Sequence, residues 1–327
     1  MHHPDQLDLR NKTEGQGQVK PEVPSGKRLL TIQDISCIGK CSLTIALPVI
    51  SSLGVETAVL PTALLSTHTL FDGFTFLDLT DQMIPVTDHW KSLGFSFDTI
   101  YSGYLGSVRQ MKIVRDIIRK FQSAQNPLVI IDPVMADYGK LYTGFDEAFA
   151  KQYAAFCGSA DIILPNLTEA HYLTGLPYLE RYGEDYILDL LKTLCALGPE
   201  WAVLTGVSLR EGQTGAMARN RRTGEIVSCF TERIPGNYHG TGDLFASVVA
   251  GALTRGLPLK KALRLAVDYV GETIRVTQTS GKPDSYGVEF EATLPVLIRQ
   301  AEQLSALPLS DSTPADETPN NGSHKLP

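Results

Sequence analysis

The chain predicts an α/β fold: an open, mostly parallel central sheet with helices on both faces. Three observations carry that prediction. Short β-rich runs alternate with longer runs of helical period through most of the 327 residues. Runs such as "LVII" are apolar without interruption, as strands covered on both faces must be. Polar or glycine residues follow these runs at once, where an open sheet of this kind gathers its ligands.

The elements follow in order. "RLLTIQ" reads as a strand and "SLTIALPVISSLG" as the helix after it; "ETAVLPT" is the next strand. "TIYSGYLG" leads into "RQMKIVRDIIRKFQSA", in which Met111, Ile113, Val114, Ile117, Ile118 and Phe121 recur at helical spacing. That stripe belongs to the core, because Arg115, Asp116, Arg119 and Lys120 fall mainly on the other face. "PLVIIDPVM" precedes the helix "FDEAFAKQYAAFCGSA", and "DIILPN" precedes "TEAHYLTG". "WAVLTGV" is a further strand, and "DLFASVVAGALTRG" closes the series with a helix beginning near Leu244. Residues 1–27 and 304–327 have little to bury and read as disordered tails around a single domain, 28–303; His2 and His3 receive no function.

A hydrophobic content of 43% suffices for a real core, while the longest apolar segments fall far short of the about 20 residues of a membrane helix. The net charge of -7 argues against a nucleic-acid surface and for a small substrate. The first residues contain no apolar signal segment, so a cytoplasmic location with five reduced cysteines is expected. Cys37 and Cys41 lack paired metal-ligand spacing with the other three, and Cys41 is the one least readily read as structural.

The strand ends supply the candidates: Gln33 and Asp34, Thr62, Ser102 to Ser107, Asp132, Asn166 to Glu169, Thr205 and Gly206, and Gly240 to Asp243. In "YHGTGDLFAS", Gly240 and Gly242 let backbone N–H groups converge beside a helix N-terminus, the arrangement that holds phosphate. Asp243 on the rim of that hole suits a base taking a proton from a hydroxyl during phosphoryl transfer. Taken as four residues alone, the stretch is equally an Asp cap on a Gly-rich turn. No stretch matches a P-loop, and "QDISCIGKCS" has too few glycines for a dinucleotide fingerprint. Asp132, ending an apolar strand, and Glu169, in the first turn after "PN", suit magnesium and its phosphates. The alternatives are a turn for Asp132 and a helix-capping arrangement for Glu169.

In their order, "SGYLGS", "DPVMADYGKLY", "PNLTEA", "VLTGVS" and "YHGTGDLFAS" resemble the pyridoxal and pyridoxamine kinases of the ribokinase-like superfamily over roughly residues 28–300. The segment "IQDISCIGKCS" is similar to a bacterial pyridoxamine kinase subgroup. The resemblance implies a ribokinase-like fold and ATP-dependent phosphorylation of the hydroxymethyl group of a B6 vitamer. It implies Mg2+, commonly a monovalent cation such as K+, and commonly a homodimer. It places Asp243 as base, with Gly240, Thr241 and Gly242 as the anion hole. Asp132, Asn166, Glu169, Thr205 and Gly206 then lie on the nucleotide side, with Asp132 and Glu169 near the metal. Gln33, Asp34, Thr62, His68 and Tyr104 lie on the vitamer side; Tyr104 also reads as packing and His68 as a structural histidine. The chain departs from the pattern at Asp34, where better-known relatives carry serine. It departs again at "STHTLFDGF", where Leu70 and Phe71 stand in place of a glycine pair. Two alternatives remain open: a hydroxymethylpyrimidine kinase of thiamine synthesis, and a silent B6-binding regulatory protein on the same fold.

Overall fold

A computed structural model describes residues 26–122, 126–281 and 286–306. Strand β1 (Arg28–Ile38) leads into α1 (Leu43–Ser52), β2 (Glu56–Thr67), β3 (Phe76–Asp78), α2 (Thr80–Ser92) and β4 (Thr99–Ser102). Then come α3 (Val108–Gln122), β5 (Leu128–Ile131), β6 (Ala136–Asp137), β7 (Lys140–Leu141), α4 (Glu147–Cys157) and β8 (Ile162–Ile163). α5 (Leu167–Thr174) and α6 (Glu184–Ala196) precede β9 (Trp201–Val207), β10 (Gln213–Asn220) and β11 (Ile226–Glu232). The described chain closes with α7 (Thr241–Arg255), α8 (Leu259–Thr279) and α9 (Phe290–Ala306).

Nine strands form one sheet in the order β11-β10-β9-β8-β5-β4-β1-β2-β3. The six central strands, β9 to β2 in that order, pair in parallel, while β3 at one edge and β10 with β11 at the other run antiparallel. The parallel strands were readable in the sequence because apolar runs form them, and β1, β4 and β8 lead directly into helices. The edge strands are mixed in composition, as "QTGAMARN" is, and show no such period.

Successive residues of the central strands feed two separate cores, one per sheet face. Ile130 and Val203 pack with α1, α7, α8 and α9, while Val129, Ile131, Ala202 and Leu204 pack with α2 to α6. On α3 five residues of the predicted stripe, Met111, Val114, Ile117, Ile118 and Phe121, are buried, while Ile113 is partly buried and packs against the same core. Helix α7 is buried from Leu244 through Ala252, so it runs through the core and needs apolar side chains all round.

β1 extends five residues beyond "RLLTIQ", through "DISCI". Its pairing with β2 slips between Gln33 and Ile35: Gln33 pairs with Pro61 and Ile35 with Leu64, so Asp34 alone faces Thr62 and Ala63. Such a bulge re-aims side chains at the end of a strand. Of the two tails, residues 1–25, with His2 and His3, and 307–327 lie outside the described residues. Lys27 is held by Asp98 at 2.9 Å, and α9 runs through Ala306, three residues into the expected tail. All five cysteines are free thiols, and no described helix is long and apolar enough to cross a membrane.

Candidate active site

The carboxyl ends of the parallel strands meet the N-termini of α1 and α7. α7 starts at Thr241 rather than near Leu244, with Gly240 as its N-cap at φ 84°. Only glycine takes that angle without strain, and a Cβ there would stand 2.3 Å from the Lys40 carbonyl oxygen. Thr241, Gly242 and Asp243 therefore form the first helical turn. Thr241 Oγ1 donates to the Tyr238 carbonyl at 3.1 Å, and Gly242 is exposed. No side chain caps this helix, which disposes of the reading of Asp243 as a cap and leaves first-turn N–H groups for an anion. Burial raises the half-buried Asp243 carboxyl to about 6, against the favourable N–H of Ser42 and with the charge of Asp34 adding to the rise.

The segment after β1 lies against this loop. Asp34 is buried and accepts from Ser42 Oγ at 2.6 Å and from Ser36 Oγ at 3.3 Å. Burial nonetheless raises its carboxyl above the usual range. Ser42, the N-cap of α1, sits at φ 49°, ψ -131°, a region costly to any residue with a side chain, about 1–3 kcal/mol. Cys41 is buried between Asp34 and Asp243; burial first and then the two carboxylates push its thiol far up, which makes it a poor nucleophile.

Asp132 follows β5 and is nearly inaccessible, at 7% exposure. Burial, then the charges of Glu169 and Asp243, raise its carboxyl well above the ordinary value. Carboxylate oxygens are the hard donors that a divalent cation takes, but among the described residues no group of three His, Cys, Asp or Glu side chains stands close enough to hold a metal ion by itself. Glu169 is committed locally: its two oxygens accept from the Met135 N–H at 3.2 Å and the Asn166 N–H at 2.8 Å. Asn166 Oδ1 accepts from the Glu169 N–H at 2.9 Å, completing a capping box on α5, and Asn166 Nδ2 donates to the Ala136 carbonyl. The pair thus pins the segment after β5 that becomes the β6–β7 hairpin. Tyr138 at the hairpin turn hydrogen-bonds Asn237, in the loop that leads to Gly240. Thr205 and Gly206 lie next to Asn166, which bridges to Thr205 across the strand ends; Gly206 is exposed at φ 72°.

Ser102 ends β4, whereas Gln33 and Thr62, expected at strand ends, lie in the middle of the neighbouring β1 and β2, which run on beyond the apolar runs that the sequence marks. Gln33 Oε1, Thr62 Oγ1 and Ser102 Oγ are buried with no hydrogen-bond partner among the described residues. Buried polar atoms are rarely left so unless a ligand or water completes them. Gly103 allows the approach, since a Cβ there would stand 2.6 Å from Gln33 Oε1. Tyr104 is half-buried, its ring 5.8 Å from Phe145. His68 is buried and lies 4.4 Å from His239 and 4.7 Å from Phe71, ring to ring. His239 is the residue before Gly240, and burial, followed by the charge of His68, lowers its ring to about 4. Ser36, Ser42 and His239 had no signal of their own in the sequence: they matter through neighbours brought from other strands and loops.

Residues 48–286 match the phosphomethylpyrimidine kinase family, well over half of the chain. The chain belongs to that family. Among solved structures, the pyridoxal kinase of Lactobacillus plantarum is 34% identical, with a TM-score of 0.77 over 85% of this chain and 99% of its own. A Bacteroides thetaiotaomicron protein, provisionally described as a phosphomethylpyrimidine kinase and crystallised with pyridoxal, is 38% identical, with a TM-score of 0.79 over 84% of this chain and 96% of its own. The pyridoxal kinase of Arabidopsis thaliana is 27% identical over 266 residues, 79% of this chain and 85% of that relative. The fold is that of the ribokinase-like pyridoxal kinases.

Proposed function

We infer that this protein is a B6-vitamer kinase that moves the γ-phosphoryl group of ATP to the 5'-hydroxymethyl oxygen of pyridoxal, pyridoxamine or pyridoxine. The observation that carries the reading is Asp243: a carboxylate in the first turn of an uncapped helix, raised to about 6 by burial. In this reading Asp243 takes the hydroxyl proton, the oxygen attacks the γ-phosphorus, and the bond to the β-phosphate breaks. The N–H groups of Thr241, Gly242 and Asp243 stabilise the charge on the transferring group. Gln33, Thr62 and Ser102, with their unsatisfied atoms, are assigned to the polar edge of the vitamer, flanked by Asp34, Tyr104 and His68.

On the nucleotide side, Asp132 is assigned to a magnesium ion directly, and Glu169 through water, since its oxygens already accept from backbone. Held there, the ion would supply positive charge that offsets the charge of the phosphate groups. Asn166, Thr205 and Gly206 shape the adjoining rim, and the K+ of the resemblance belongs to the same side of the proposal. A homodimer is assigned to the ribbon of β2 and β3, where Leu64 and Leu77 are cross-strand partners and both exposed, with Phe76 beside them. A cytoplasmic location and the single domain between two tails complete the reading.

A second reading, a hydroxymethylpyrimidine kinase, is favoured by the description of the matching family. Purified protein given ATP and magnesium with pyridoxal, pyridoxamine, pyridoxine or hydroxymethylpyrimidine separates the two by product mass. A phosphorylated B6 vitamer is the expected result. Product from the pyrimidine alone would move the assignment to thiamine synthesis, and binding of a vitamer without product from any substrate would make this a silent binding protein.

A further inference from the structure

The buried face of α3 opens on an amide. Gln110 stands four residues before Val114 and seven before Ile117, on the face that packs into the core, and is 3% exposed. A leucine or methionine would fill that place without further demands, whereas a buried carboxamide must find partners. Gln110 finds them on three segments. Oε1 accepts from the Gly106 N–H at 2.8 Å, and Nε2 donates to the Thr62 carbonyl at 3.2 Å and to Thr80 Oγ1 at 2.9 Å. A backbone donor on one side and a backbone acceptor on the other fix which end of the amide is oxygen. The side chain thus joins the β4–α3 loop, β2 and the start of α2.

Both ends of this bridge belong to the vitamer side of the site. Thr62 carries one of the buried hydroxyls without a partner among the described residues, and Tyr104 lies two residues before Gly106. A Cβ on Gly106 would stand 3.8 Å from Gln110 Oε1 and equally from the Tyr104 ring and hydroxyl, so ring and carboxamide rest on the same glycine. The other end of the loop is held independently. The Gly103 N–H donates to the Ile32 carbonyl at 3.1 Å, and the Gly103 carbonyl accepts from Tyr153 Oη at 3.2 Å. On its far side the Tyr104 ring meets Phe145 at 5.8 Å, which stacks in turn on Phe149 at 4.0 Å. Tyr104 is therefore set between a wall of phenylalanines and a glycine tied down by Gln110.

We propose that Gln110 is a positioning residue for vitamer binding: its carboxamide fixes the β4–α3 loop against β2 and so sets the Tyr104 ring and the Thr62 hydroxyl at the spacing the substrate ring meets. The inference rests on the reading of Tyr104 and Thr62 as vitamer contacts, and it assigns Gln110 to substrate affinity, not to the transfer step. Gln110→Met removes the three hydrogen bonds at nearly the same side-chain length. It strands none of the partners: the Thr62 carbonyl keeps the Leu79 N–H at 3.0 Å, Thr80 Oγ1 keeps Asp78, and Gly106 is exposed to water. The variant is expected to fold.

The test compares kcat and KM, for ATP and for pyridoxal, pyridoxamine and pyridoxine, in the wild type, Gln110→Met, Tyr104→Ala and the double variant. Gln110→Met should raise the vitamer KM about tenfold, with kcat and the ATP KM within about twofold. In the double variant the rise should fall well short of the product of the two single rises, because Gln110 acts through Tyr104. An unchanged vitamer KM in Gln110→Met, a loss spread evenly over both KM values, or rises that multiply in full would overturn the proposal.

Hydrogen exchange reads the same link without turnover. In Gln110→Met the segment 103–107 should exchange about tenfold faster while β5 and the later turns of α3 keep their protection. Unchanged exchange in 103–107, or faster exchange throughout the chain, rejects the positioning role. Should the wild type phosphorylate no vitamer, the kinase reading fails, and exchange still decides whether Gln110 holds the loop.

Discussion

Asp243 sits where burial and function pull in the same direction. Removing its carboxylate from water raises its proton affinity to about 6, which leaves it ionised at neutral pH yet basic enough to take a proton in a transition state. Asp243→Asn should lower kcat by about 100-fold or more while the affinity for nucleotide, measured by calorimetry, changes little. In the wild type, turnover should rise with pH through about 6, because only the ionised form accepts the proton. Stability runs the other way. Between the ordinary carboxylate value, 3.8, and about 6 the folded chain holds a proton that the unfolded chain has lost, so stability falls as pH rises through that window. Denaturant titrations of wild type and Asp243→Asn across it should show that slope in the first and a weaker one in the second. The sequence made Asp243 a candidate, but whether it capped the helix or faced the site depended on where the helix began, and that was fixed by Gly240 taking φ 84°.

At the scale of elements, the site is an encounter between two helix N-termini held by backbone fit. Gly240 meets the Lys40 carbonyl so closely that any side chain must push the two loops apart. Gly240→Ala combines that clash with a disfavoured φ and should cost about 1–3 kcal/mol, read as a lower melting temperature, together with loss of turnover. The capping box of Asn166 and Glu169 plays a similar part for α5 and the β6–β7 hairpin. Both residues were legible from "PNLTEA" as a cap or as magnesium and nucleotide contacts. The hydrogen bonds of Glu169 to two backbone N–H groups show the local work it does, which any role at the metal must accommodate. The hairpin itself, two residues per strand, carries too little pattern to be read from sequence.

Over the whole molecule, distant segments converge on the site through a few long-range ties. Lys40 Nζ bonds Glu289 at 2.9 Å and Glu291 at 2.7 Å, joining the loop under Gly240 to the start of α9. Lys40→Met would remove the cation between two carboxylates at a nearly buried position and should cost about 3 kcal/mol in chemical unfolding. The exposed ribbon makes a separate prediction: if β2 and β3 join two copies, Leu77→Lys should convert a dimer to a monomer in sedimentation, whereas an unchanged mass would reject that surface. The sequence by itself determined the parallel α/β architecture, because apolar runs of strand length followed by helical periods leave few other ways to bury both faces of a sheet. It also pointed to candidate site residues after its apolar runs, since polar groups there have no place in either core. Only the tertiary structure decided the strand order, the antiparallel edges and the hydrogen bond from Ser42 to Asp34. A backbone angle forced on a serine and a hydrogen bond across eight residues leave no mark on composition or period; they exist once β1, α1 and α7 are packed together.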